Sequence, residues 1–315
     1  MSFLSTAVQT VLEEGPFCAV ATMTPNGPHC TPLVFAYSGG RIWLTTSRGS
    51  VKARAWKVDP GVSGMIRHGE TSVTFTGTVK TYDAMDRASW GSAMSGVVSI
   101  TRATAKFSRK NARFFAGYAM DARQIPFAWM PPGRVFVGID IERTALLEAD
   151  GVQEGRGRWG GEVTSHPTFR TVKAGDDPLT GVPKDLREEL GSSGEGALTV
   201  LGARGPVVLP VRWRADKGAL YAALPAESLA LAGVGPDAPV ALTVDKPSAW
   251  RARDMVGAMV QGTGACYVGE QVGSGVKTAR ALAADIAPGA DALVRVSPAR
   301  VVWWKGWSSG STRVT

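Results

Sequence analysis

Apolar and polar residues alternate in short runs through most of the chain, and each run closes on Gly, Pro, Asn or Ser. Ahead of the first run, Phe3, Leu4, Ala7, Val8, Val11 and Leu12 fall at helical spacing and predict a short amphipathic helix over residues 3–14. Strands are predicted over Phe17–Thr22, His29–Tyr37, Arg41–Ser47 and Val62–Arg67, with turns at Thr24–Gly27 and Ser38–Gly40. Ser72–Val79 and Val135–Ile141 alternate strictly. Strands this short, this regularly punctuated, predict a closed or nearly closed antiparallel barrel with α additions. Between them, residues 82–121 change character. Arg102, Lys106, Arg109, Lys110 and Arg113 recur at three- and four-residue steps beside Phe107, Phe114, Phe115 and Tyr118, which predicts a helical insertion with a basic stripe. A solvated face is the simpler reading of that stripe.

The pattern is written twice. Gly27-Pro28, Pro32 and Phe35 match Gly205-Pro206, Pro210 and Trp213 at an offset of 178 (27 to 205), which also sets Trp43 on Tyr221, Ser50 on Ser228 and Asp59 on Asp237. The closing strands correspond at an offset of 157 (143 to 300), with Arg143 on Arg300 and Ile139 on Val296. Residues 149–181 are rich in Gly, Asp, Thr and Pro, and Lys184–Leu190 reads as a short helix. The expected organisation is therefore a first barrel over residues 1–150, a linker over 151–182 and a second, degenerate barrel over 183–315.

Arg41–Pro60 is the stretch that suggests chemistry. A strand ends in Thr45-Thr46-Ser47, Arg48-Gly49 turns, and Ser50 reads as the N-cap of a helical segment carrying Lys52. Hydroxyls, free backbone N–H groups and cations at one strand end favour a phosphate; an exposed turn with solvated charges is the plainer alternative. The spacing is neither that of a Walker loop nor that of a dinucleotide fingerprint. In the second copy the same positions read Ala223-Leu224-Pro225-Ala226-Glu227-Ser228-Leu229-Ala230, so one competent anion site is expected, not two.

Bulk composition narrows the partners. The 315 residues carry a net charge of +8, which favours an anionic partner, cofactor or substrate, yet no Lys/Arg tract of the nucleic-acid-binding kind occurs. Cys18, Cys30 and Cys266 are isolated and the three histidines are scattered, so neither a disulfide scaffold nor a metal site is expected. No signal peptide and no apolar stretch of membrane-spanning length is read, which predicts a cytoplasmic chain acting on a small molecule, without nucleic-acid or membrane partners.

Phe17–Thr22, Asn26–Pro32, Leu44-Thr45-Thr46-Ser47, Ser50-x-Lys52, Asp59-Pro60 and Phe75-Thr76-Gly77-Thr78, taken as an ordered set, resemble the pyridoxamine-5′-phosphate-oxidase-like split β-barrel family. The resemblance covers residues 15–80, with a weaker copy over 195–265 and both closing strands. It implies two split barrels forming an intramolecular pseudo-dimer, monomeric or assembled further. It implies FMN as cofactor, with F420 and haem as the alternatives within the family, and a flavin- or deazaflavin-dependent oxidoreductase or a non-catalytic flavin or haem carrier. By position, Thr45, Thr46, Ser47, Ser50 and Lys52 would hold the cofactor phosphate with help from Arg48. Thr31 and Pro32 would meet the ring, and residues 246–253 of the second copy would offer Trp250 for stacking and Arg251 toward an anion. Trp250 fits core packing equally well. His29 lies on the ring-side strand, where a structural role is the better reading, and no catalytic side chain is identified. Trp303, Trp304 and Trp307 fall where relatives place aromatic residues near the flavin, although a packing cluster is the simpler reading.

Overall fold

The computed structural model describes residues 4–83, 85, 97–121, 123, 133–169, 177–216, 218–248, 250–269 and 275–314. Residues 84 and 86–96 of the predicted insertion and 170–176 of the predicted linker therefore lie outside the described residues.

Two antiparallel sheets carry the fold. The first contains β1 (Cys18–Thr24), β2 (Gly27–Leu33), β3 (Phe35–Ser38), β4 (Arg41–Ser47), β5 (Gly61–His68), β6 (Thr71–Tyr82), β7 (Arg134–Glu148) and β8 (Gly151–Arg156). Its order is β2-β1-β5-β6-β7-β4-β3, with β8 on the outer side of β7. The ring comes full circle where the chain runs from β2 into β3, so the predicted strand His29–Tyr37 is two strands broken at Val34. The second contains β9 (Ser193–Gly202), β10 (Gly205–Asp216), β11 (Ala219–Leu224), β12 (Asp237–Lys246), β13 (Val256–Tyr267), β14 (Ala292–Lys305) and β15 (Ser308–Arg313). Here β10 is continuous and β11 pairs with β14, which closes a six-stranded barrel. β8 takes up the first six residues of the stretch read as linker.

The repeat holds at the level of register. Val20 stands opposite Thr31 in β1–β2, and Leu198 opposite Leu209 in β9–β10, each 178 positions on. Glu148 faces Gly151 and Lys305 faces Ser308, each 157 positions on. Even the β-bulge recurs, between Thr76 and Gly77 in one sheet and between Gln261 and Gly262 in the other. Each barrel is plugged by a short helix at the same offset: Val8 and Leu12 of α1 (Thr6–Glu14) correspond to Leu186 and Leu190 of α5 (Lys184–Leu190), all buried in their barrel cores. Ser5 caps α1 by accepting from the Val8 N–H at 3.3 Å.

The barrels pack as a pseudo-dimer, β2 lying on β9, β12 and β13 and β10 lying on β1, β5 and β6. The contact is reciprocal. Cys30 N–H donates to Met259 Sδ at 3.1 Å and Cys30 C=O accepts from Thr243 at 3.0 Å. Val208, its equivalent, donates to Ser63 Oγ at 3.1 Å and accepts from Thr74 at 2.7 Å. Side chains of each barrel thus satisfy backbone groups that the ladder of the other leaves free. Among the described residues no helix is long and apolar enough to cross a membrane.

Candidate functional site

The site begins where β4 ends. Ile42, Leu44 and Thr46 point into the first barrel, while Thr45 and Ser47 are half-buried on its outer side. The Ser50 N–H donates to Ser47 C=O at 3.0 Å, which closes the turn. The hydroxyl of Ser50 then caps α2 (Val51–Ala55), accepting from Ala53 N–H at 3.1 Å and from the Thr46 hydroxyl at 3.1 Å. Ser50 is thus the cap the sequence predicts, and its oxygen ties strand to helix.

Lys52 turns inward. Its side chain is 3 % exposed and its ammonium donates to the Thr31 hydroxyl on β2. Burial lowers its pKa to about 8, and only the thiols of Cys30 and Cys18 oppose the shift. Arg134 opens β7 opposite Ser47 and reaches across to Thr45, donating to its hydroxyl at 3.1 Å and to its carbonyl at 3.0 Å. Burial lowers the Arg134 pKa too, with Tyr118 alone offsetting it. No carboxylate pairs with either cation among the described residues. A buried charge without a counter-charge is costly, and an anion at the end of β4 would offset that cost. Arg48 differs: its Nε and Nη2 donate to Asp83, at 2.7 Å each, so this guanidinium has a carboxylate partner.

The second copy reverses this electrostatic arrangement. The position of Arg134 is Asp291, whose carboxylate accepts from the Ala226 N–H at 2.6 Å. Glu227 stands where Gly49 does and accepts from Val152 N–H at 3.4 Å. The offset of 178 also slips here. α6 (Ala226–Ala230) starts after Pro225, so Ser228 sits inside the helix rather than capping it. An internal carboxylate occupies the helix end that hydroxyls and cations flank in the first copy.

From the second barrel, Trp250 and Arg251 make no hydrogen bond or ion pair with Lys52 or Thr31 among the described residues, and their hydrogen bonds run to Ser248 and Met120. Trp250 is 56 % exposed with the Arg251 guanidinium 5.1 Å over its ring, and Ala249 lies outside the described residues. The two brace a cap instead. The predicted insertion forms α3 (Val97–Lys110) and α4 (Ala112–Met120), and α4 lies so close to Trp250 that a Cβ at Gly117 would stand 2.2 Å from its carbonyl oxygen. The Tyr118 ring meets that of Trp307 at 5.2 Å, edge to face, and Arg253 approaches the buried Asp121 at 3.5 Å. α4 therefore bridges the two barrels beside Arg134. Arg134 and Tyr118 carry no motif in the sequence; the one signal for Arg134 is its replacement by an acid at the 157 offset.

Two titratable groups complete the interface. The His29 imidazole is driven down to about 3 by burial, by Lys52 and by Arg300, so it is neutral at physiological pH. Asp245, on β12 beyond the Thr243 that binds Cys30, is raised to about 6 by burial, with Arg67 a partial offset. Its folded pKa exceeds the ordinary 3.8, so its contribution to stability is present below about pH 4 and lost as pH rises through 6. Asp245→Asn is expected to stabilise the chain at pH 7 by up to about 3 kcal/mol and to flatten thermal stability between pH 4 and 6. A melting profile whose pH dependence matches the parent would count against this assignment.

A family model described as Pyridoxamine 5'-phosphate oxidase matches residues 4–147. Comparison with curated proteins returned no match. Among solved structures, the chain is similar to General Stress Protein 26 from Bacillus anthracis at 14 % identity, covering 48 % of this chain and 96 % of that one with a TM-score of 0.32. A FAD-binding protein from Mesorhizobium loti matches at 19 % identity, 45 % and 94 % coverage and a TM-score of 0.31. A pyridoxamine 5'-phosphate oxidase-related, FMN binding protein from Nostoc punctiforme matches at 17 % identity, 44 % and 77 % coverage and a TM-score of 0.32.

Proposed function

Residues 4–147 belong to the pyridoxamine 5'-phosphate oxidase family, and from that premise we propose that the chain is a flavin-dependent oxidoreductase that binds one FMN in the groove between its barrels. The observation that carries the reading is a pair of cations, the buried Lys52 and the half-buried Arg134, which no carboxylate pairs among the described residues. Thr45, Ser47 and Ser50 add hydroxyls there that suit a phosphate, while the buried Thr46 hydroxyl donates to Ser50 and fixes it in place. Lys52 and Ser50 would hold the phosphate with Arg134, and Thr31 and Pro32 would lie against the ring. A bound flavin would supply hydride transfer to or from a small organic substrate. The protein would orient it, exclude water with α4, and keep a neutral imidazole at His29.

One observation favours F420 as the alternative. Arg102 and Arg109 on α3 and Arg113 on α4 are exposed, whereas Lys106 of α3 is paired with Glu13 at 3.1 Å. Those arginines suit a cofactor with a longer anionic tail. Titration of the purified chain with FMN, F420 and haem, followed by absorbance, is expected to saturate at one FMN per chain. Two equivalents would show that the second copy is competent despite Asp291, and tighter binding of F420 or haem would replace the cofactor. Substrate-dependent reoxidation of the reduced, loaded protein separates an enzyme from a carrier.

A further inference from the structure

A cavity of about 270 Å³ opens at the position in the second barrel that corresponds to the first barrel's β4 end. Its floor is Pro210, Ala223, Leu224 and Leu147, apolar where the first copy offers Pro32, Thr45 and Thr46. The small residues Ala223 and Ala290 leave it open rather than filling it with side chain. Three acids reach its mouth, Glu70, Glu148 and Glu195, against two cations, Arg67 and Arg212. Both cations are already committed to Glu195, Arg67 directly and Arg212 at 3.5 Å. Glu70 and Glu148 stay exposed, with no ion pair among the described residues. Behind the floor, Asp291 takes the Ala226 N–H that an incoming phosphate would need.

We propose that this cavity is a second ligand site of opposite polarity, taking a small, phosphate-free aromatic cation. The apolar floor would remove ring surface from water, and the surplus of carboxylates at the mouth would favour positive charge. Phosphate is excluded by two features together: Asp291 fills the helix end and stands where Arg134 does, and the second residue of the helix, Lys52 in the first copy, is Glu227. The site is independent of the cofactor reading, because it involves neither Lys52 nor Thr31.

The test is a fluorescence titration of the full chain with proflavine, a flat cationic dye, repeated with the anionic dye anilinonaphthalene sulfonate. Proflavine is expected to saturate at one equivalent and the anionic dye not to compete. Ala290→Trp, which fills the cavity, and Glu148→Lys, an exposed change at its mouth, should each weaken proflavine at least tenfold. Lys52→Met should leave proflavine binding unchanged. Absence of saturable binding would overturn the proposal, as would binding indifferent to both cavity variants. Binding lost in Lys52→Met alone would place the dye in the first groove and overturn it equally. Should FMN fail to bind, the cofactor reading falls while this result stands on its own.

Discussion

Lys52→Met is expected to raise the stability of the cofactor-free chain while weakening FMN binding roughly tenfold to a hundredfold. The two effects have one origin. Burial lowers the Lys52 pKa from 10.5 to about 8, so below pH 8 the folded chain holds a charge in a site that disfavours it. The lowered pKa means that stability falls as pH drops from about 10 through 8, and at pH 7 the cost approaches about 3 kcal/mol. Methionine fills similar space without charge and recovers part of that cost. The Thr31 hydroxyl loses its donor, which takes back about 1 kcal/mol. In the loaded chain the same ammonium makes a charge-assisted hydrogen bond to phosphate, worth about 1.5–3 kcal/mol. Paired thermal melts with and without FMN read both quantities. A variant that binds FMN as the parent does would remove Lys52 from the phosphate cradle, and one less stable without cofactor would mean that the charge is satisfied within the protein.

The strands were legible because alternation is a local property. Arg41–Ser47 and Lys184–Leu190 have the bounds their patterns predict, and the 178 offset that aligns Gly27 with Gly205 is the offset of the β1–β2 and β9–β10 registers. The break at Val34 was not legible: Val34 is apolar and buried like Phe35 after it, and only the path of the hydrogen bonds distinguishes β2 from β3. The slip of α6 was hidden for a related reason, since the serine match at Ser50 and Ser228 conceals a helix that begins three residues earlier in the second copy. At the site, Ser50 and Lys52 were readable because cap and cation lie within one turn of each other. Arg134 comes from a strand more than eighty residues away, and only the pairing of β4 with β7 sets it beside Thr45. Trp250 and Arg251 sit in the segment before β13 that the repeat pointed to and pack against α4, a contact the repeat could not place, because among the described residues the two helices between β6 and β7 answer to a single helix, Val276–Ile286, between β13 and β14.

Gly77→Ala and Gly262→Ala are expected to destabilise the chain by about 3 kcal/mol each, and by similar amounts, because they are the same position in two barrels. Each glycine follows the repeated bulge, where the extra residue presses the strand against its neighbour. A Cβ on Gly77 would lie 2.2 Å from the Asp140 carbonyl oxygen, and one on Gly262 would lie 1.9 Å from that of Ser297. Asp140 and Ser297 are themselves equivalent at the 157 offset. Both obstructions are backbone within a paired strand, so relief requires the ladder to move, whereas a clash with a flexible side chain could be turned away. The matched control is Gly155→Ala, where nothing lies within 4 Å of the added carbon; there the smaller entropy of the unfolded chain should leave stability level or slightly raised. Thermal denaturation of the three variants decides the point. Losses confined to one barrel would show that the two bulges, alike in register, are not alike in rigidity, and tolerance at both would mean that the sheets yield at the bulge, so that the repeat there constrains sequence less than it constrains hydrogen bonding.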